Sequence, residues 1–171
     1  MNKRIGLTAL AMCLAYGAQA NELEGRWVLQ NVDNTQAQLD EAVEKVAKEM
    51  NFFIRALARP VLKKQTQICQ QWQLKFPADD FTWQCDDADP ERMPVAAKGE
   101  VVKVDEEDVE ISGTFQQTSD KIVTVLESER GKRTDTWEKL GTNELLYTAK
   151  LESEKLPTPL TWSLTYKKVR P

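Results

Sequence analysis

After Cys69 the 171-residue chain settles into short runs in which apolar and polar residues alternate, each stopped by a turn signal. Trp72, Leu74 and Phe76 share one face, Pro77-Ala78-Asp79-Asp80 turns the chain, and Phe81 and Trp83 continue that face on the return. Residues 101–104 turn through 105–108 into 109–115, and residues 118–121 turn into 122–127. Arg130-Gly131-Lys132 leads into 134–140, residues 141–144 lead into 145–151, and after Lys155-Leu156-Pro157 a last strand covers 160–169. With an opening strand over 26–31, this makes about nine short strands at even spacing, the pattern of an up-and-down antiparallel barrel or sandwich. The fold class is mainly β.

One segment breaks the alternation. From Gln36, the residues Leu39, Val43, Val46, Met50, Phe53 and Leu57 recur at spacings of four and three, which puts them on one face of a helix. Asp33-Asn34-Thr35 offers capping side chains ahead of it, and Glu41 with Lys45 and Glu44 with Lys48 form i,i+4 pairs on the other face. Pro60 ends or kinks the helix, so residues 61–66 form a short second one, and the whole helical insertion spans 36–66. Its apolar stripe packs on a sheet or helix. If the helix lies over a barrel mouth, Phe52, Phe53 or Ile54 reaches a guest.

The N-terminus has Lys3 and Arg4, an apolar stretch, and Ala18-Gln19-Ala20, the layout of a secretory signal peptide cut after Ala20. The expected protein is therefore periplasmic or secreted, with residues 21–171 as one domain and no stretch long enough to span a bilayer. Cleavage removes two of the 23 basic residues and none of the 27 acids, leaving a net charge of −6. Such a surface repels nucleic acid and anionic headgroups. The remaining cysteines, Cys69 and Cys85, form one disulfide or a free pair. Regular strand register puts them on opposite faces, so a bond requires Cys69 to sit in the helix-to-strand connection or beside a bulge. The acidic stretch over 86–94 reads as a solvated loop, since Asp86, Asp87, Asp89 and Glu91 lack the spacing of a calcium loop. The sequence contains no histidine, which removes the common triads and the usual catalytic zinc ligands. No metal or cofactor is expected, and no pair of carboxylates stands out for acid–base work. The chain reads as a non-enzyme.

A meander opened by Gly25-Arg26-Trp27 resembles the calycin superfamily, the lipocalins and fatty-acid-binding proteins. That resemblance implies a closed barrel whose first-strand tryptophan, here Trp27, plugs the bottom beside a basic residue of the last strand, Lys168 or Arg170. The order of strand, helical segment and meander is closer to the fatty-acid-binding proteins, in which a helical pair caps the open end. Those proteins hold a ligand carboxylate with Arg-x-Tyr on the final strand. Tyr166 matches the tyrosine but Leu164 stands at the arginine position, so that site does not carry over.

Within such a barrel Trp162, Leu164 and Tyr166 share one face, as do Leu145, Tyr147, Ala149 and Leu151. Inward orientation makes an aromatic interior with two phenols, and Trp137, Tyr147, Trp162, Tyr166 and Phe53 are the candidate ligand-binding residues. Gly25 and Trp27 are structural. The expected partner is a small apolar or amphipathic molecule. The alternative is an envelope protein-interaction or inhibitor module with a filled core, acting through the loops at 86–94 and 155–159.

Overall fold

The chain starts its barrel with β1 (Gly25–Leu29) and returns to that strand twice. The structure, a computed structural model, describes residues 21–169; the expected leader and Arg170 lie outside the described residues. After β1 come two helices, α1 (Val32–Lys48) and α2 (Phe52–Gln65), and then nine strands: β2 (Gln71–Lys75), β3 (Asp80–Cys85), β4 (Glu91–Pro94), β5 (Lys98–Val104), β6 (Glu110–Gln117), β7 (Lys121–Ser128), β8 (Gly131–Lys139), β9 (Glu144–Glu152) and β10 (Leu160–Lys168). Among the described residues ten strands form one antiparallel sheet in the order β4-β3-β2-β1-β10-β9-β8-β7-β6-β5. The first strand thus lies between β2 and the last strand. The sheet's two end strands, β4 and β5, are joined by residues 95–97, which leaves the up-and-down barrel nearly closed. Among the described residues no helix is long and apolar enough to cross a membrane.

β1 shows why a Gly-x-Trp strand suits this position. Trp27 is wholly buried and its indole N–H donates to the Leu23 carbonyl at 2.9 Å. Directly opposite in the register is Lys168, whose ammonium sits 5.1 Å from the Trp27 ring centroid and donates to the Glu22 carbonyl at 2.7 Å. A Cβ on Gly25 would lie 3.2 Å from the Lys168 Cε, and φ at Gly25 is +130°. Glycine therefore leaves the lysine stem its route across the barrel end.

The helical segment differs from the expectation in three places. Its break falls at residues 49–51, not at Pro60: Asn51 caps α2 by accepting from the Ile54 N–H at 3.0 Å, while Pro60 sits inside α2. α1 begins at Val32 behind Asn31, a left-handed residue with no side-chain cap bond, so the capping role given to Asp33-Asn34-Thr35 does not arise. Glu44 pairs with Arg59 of α2 at 2.7 Å, and Asp40 with Lys63 at 3.1 Å, in place of the expected pair of Glu44 with Lys48. The Arg55 guanidinium donates to the carbonyls of Ala47, Lys48 and Met50 at 2.8–3.0 Å, which satisfies the orphan acceptors at the end of α1.

The apolar stripe consequently divides. Leu39, Val43, Val46 and Met50 are buried under α1, but Phe53 and Leu57 face outward because the turn at Asn51 changes the helix direction. α2 holds to the body mainly through Leu62 and the half-buried Ala58.

Cys69 lies in the connection between α2 and β2, the placement a disulfide requires, and is bonded to Cys85 with Cα atoms 5.3 Å apart. The acidic stretch is not a plain loop: residues 91–94 form β4, and the Asp86 carboxylate accepts from the Gln70 and Gln71 N–H groups at 3.2 and 2.8 Å. Asp86 therefore anchors the start of β2 beside the disulfide.

Reduction of Cys69–Cys85 is expected to lower the unfolding free energy by about 3 kcal/mol, the entropy of a freed loop of this length, measured by urea titration with and without reductant. Gly131 has φ +144°, and a Cβ there would sit 2.5 Å from the Glu152 carbonyl oxygen. Gly131→Ala should accordingly destabilise the barrel by about 2 kcal/mol in the same titration.

Candidate functional site

Strand alternation carries Arg133, Asp135 and Trp137 of β8 to the same side as Tyr147 of β9. Trp137 belongs to a packed aromatic cluster, with ring centroids 5.6 Å from Trp72, 5.4 Å from Phe81, 5.8 Å from Trp83 and 5.6 Å from Tyr147. Phe81 and Trp137 are wholly buried in this cluster, as is Leu74 beside it on β2, while Trp72, Trp83 and Tyr147 form its edge. Elsewhere the interior is open. A cavity of about 340 Å³ lies between the end of α2 and the sheet, walled by Trp72, Trp83, Tyr147, Leu126 and the Cys69–Cys85 bridge, with Arg133 and Asp135 on its surface.

Three polar side chains meet on that wall. Arg133 Nε donates to both Asp135 oxygens at 3.1 and 2.9 Å, and its Nη2 donates to the Tyr147 hydroxyl at 3.0 Å. The Tyr147 hydroxyl donates to Asp135 Oδ1 at 2.6 Å. Asp135 is almost entirely buried, whereas about a third of the Arg133 side chain remains accessible (35%). Burial opposes the charge on Arg133, but the neighbouring Asp135 carboxylate and the bonds to Asp135 and Tyr147 outweigh it and hold the guanidinium protonated. Burial, then the negative charge of Asp135, pushes the Tyr147 phenol well above its ordinary value of 10.0. The cluster is a charge-balanced set of donors and acceptors beside the aromatic part of a wall that also carries Lys64, Gln65, Gln67, Asp89 and Glu91.

The expected ligand residues therefore separate. Tyr147 lines the cavity. Trp137 stands behind the wall in the aromatic cluster. Trp162 is buried with the Arg133 guanidinium 6.0 Å from its ring centroid, which places it next to the polar cluster. Tyr166 is fully buried, and its hydroxyl donates to the Cys69 carbonyl at 2.9 Å, tying β10 to the disulfide segment. Phe53 is on the outward side of α2 at 81% exposure and does not border the cavity. Sequence reasoning missed Arg133 and Asp135. Their signal was present, because both stand at even spacing from Trp137 on β8.

A second opening of about 430 Å³, lined by Val61, Leu62, Ile111, Leu126, Leu151 and Leu156 among others, runs beneath α2. The two spaces share Gln65, Leu126 and Arg133. The last turn of α2 thus borders both spaces.

No family model and no curated protein sequence matches the chain. Solved structures do. A REP1-NXSQ fatty acid transporter is 12% identical with a TM-score of 0.52, covering 89% of this chain and 99% of its own. Secretory abundant heat soluble protein 4 from Ramazzottius varieornatus is 13% identical with a TM-score of 0.52, covering 88% and 96%. Fatty-acid-binding protein 1 of Echinococcus granulosus is 11% identical with a TM-score of 0.51, covering 87% and 98%. The fold is an up-and-down antiparallel barrel with two helices after the first strand, the architecture of these solved structures.

Burial raises the Tyr166 phenol as it raises that of Tyr147, and residues 21–171 contain no other tyrosine. A phenol whose folded-state value is raised contributes stability that is complete below its unfolded value of about 10 and is lost as the pH climbs past it. Alkaline titration of this chain should show no tyrosinate absorbance near pH 10 while the fold persists, and then a single step coincident with loss of the near-ultraviolet circular dichroism. Separate early ionisation of either tyrosine would contradict the site described.

Proposed function

We propose that the chain is a non-enzymatic binding protein for a small apolar or amphipathic molecule, exported and cut after Ala20 and held in the periplasm or outside the cell. The observation that carries this reading is the cavity of about 340 Å³, in which Trp72, Trp83 and Leu126 stand beside the hydrogen-bonded cluster of Arg133, Asp135 and Tyr147. An apolar chain enters beneath α2, lies against Trp72, Trp83 and Leu126, and directs its polar end to Arg133, Asp135 and Tyr147. The driving force is removal of apolar surface from water at about 25 cal/mol per Å². The polar cluster sets orientation, and the second space, which shares Gln65, Leu126 and Arg133 with the cavity, supplies a route for exchange. Solved structures of the same fold include a fatty acid transporter and a fatty-acid-binding protein, which favours a binder over a catalyst.

The competing reading, an interaction module with a filled core, fits this interior less well, because the packing around Trp137 does not extend to the space beside Trp72 and Leu126. Export is checked by intact mass: the secreted chain should begin at Asn21. Binding is checked by tryptophan fluorescence and native mass spectrometry with a series of single-chain amphiphiles. Leu126→Trp, which places a large ring where the two spaces join, should weaken binding about tenfold or more while the melting temperature stays within a few degrees. Undiminished affinity in that variant would move the binding site elsewhere.

A further inference from the structure

The polar groups around the cavity carry more information than their presence. The charged residues lining it are Lys64 and Arg133 against Asp89, Glu91 and Asp135, so the space has no positive excess. Glu91 is paired with Lys103 at 2.6 Å at the barrel surface. Of the two cations, Lys64 is on the exposed last turn of α2, leaving Arg133 as the cation beside the aromatic wall. Its charge is already answered by both oxygens of Asp135. We infer that the cavity selects guests whose polar end is uncharged and both gives and accepts hydrogen bonds, such as a hydroxyl, and discriminates against carboxylates.

This inference rests on the binding function proposed above, and its reason is electrostatic. A carboxylate brought to Arg133 is brought close to Asp135 as well, and attraction and repulsion from this hydrogen-bonded i,i+2 pair on one face of β8 largely cancel. The anion's lost hydration is then uncompensated, whereas a hydroxyl is far less demanding to dehydrate. The cluster has complementary groups to offer such a hydroxyl. Arg133 Nη1 makes no bond within the cluster, and Asp135 Oδ2 accepts only from Arg133 Nε. Burial and the Asp135 charge keep the Tyr147 phenol protonated, so it adds no compensating negative charge and the balance holds across the neutral pH range.

Paired titrations of the secreted chain with decan-1-ol and sodium decanoate test this at about pH 7.5, where the decanoate is ionised. The tails are matched, so the ratio of the two dissociation constants isolates the headgroup. The expected result is binding of the alcohol about tenfold or more tighter than the acid. Asp135→Asn removes the repelling charge and leaves Arg133 unanswered, so the ratio should shift toward decanoate about tenfold or more. Equal or tighter binding of decanoate by the unaltered protein overturns the inference and leaves the binding function standing. A folded Asp135→Asn protein with an unchanged ratio also overturns it. If neither probe binds, the inference and the binding function fall together. Should circular dichroism show that Asp135→Asn does not fold, the ratio in the unaltered protein decides alone.

Discussion

The meeting of Trp27 and Lys168 holds the two ends of the meander together. β1 precedes both helices, yet it must pair with β2 after them and with β10 at the far end of the chain. Both pairings join residues far apart in sequence, so loop-closure entropy opposes them. A fully buried indole offers the largest apolar area that one residue can contribute, and its N–H is satisfied locally by Leu23. The lysine across the strand adds a cation over the ring, in a space that Gly25 keeps free.

Filling and emptiness are divided within the same barrel. Around Trp137 the aromatic rings are in mutual contact and leave little for a guest to displace. Beside Trp72 and Leu126 α2 spans the sheet without dropping large side chains into it, since it buries little beyond Leu62. α2 is held to α1 by the pairs Arg59–Glu44 and Lys63–Asp40 and by the three bonds of Arg55 to the end of α1. It therefore has a firm hold on its neighbour helix and a light one on the barrel. Its outward face carries Phe53 and Leu57, residues that a regular stripe would have buried.

Most of the strand order was readable from the chain, and the reason is local geometry. Alternation at period two and a turn residue at each end are properties of neighbouring residues, so the hairpins from β5 to β10 and the Asp79 turn stand where the pattern put them. The short β4 was missed because its four residues carry two charges and a proline, which resemble a loop until Met93 is seen buried against the sheet. The helix break was misplaced because Pro60 is the stronger breaker in isolation, while Asn51 acts as one through a cap bond that only the folded turn completes. For the candidate site, Tyr147 was legible from its face of β9. Arg133 and Asp135 were not singled out, since charged residues on a strand are ordinarily assigned to the solvent side.

Taken alone, then, the sequence determined the mainly-β class, the meander and the place of the helical insertion, because each follows from spacing along the chain. Tertiary structure alone decided where empty space remains, which aromatic rings border it, and that the arginine reaching it is already matched by an aspartate. Those outcomes depend on volumes and distances between strands and helices that approach one another only when the sheet curls and α2 settles on its rim. No periodicity along the chain encodes a cavity or the net charge of its wall.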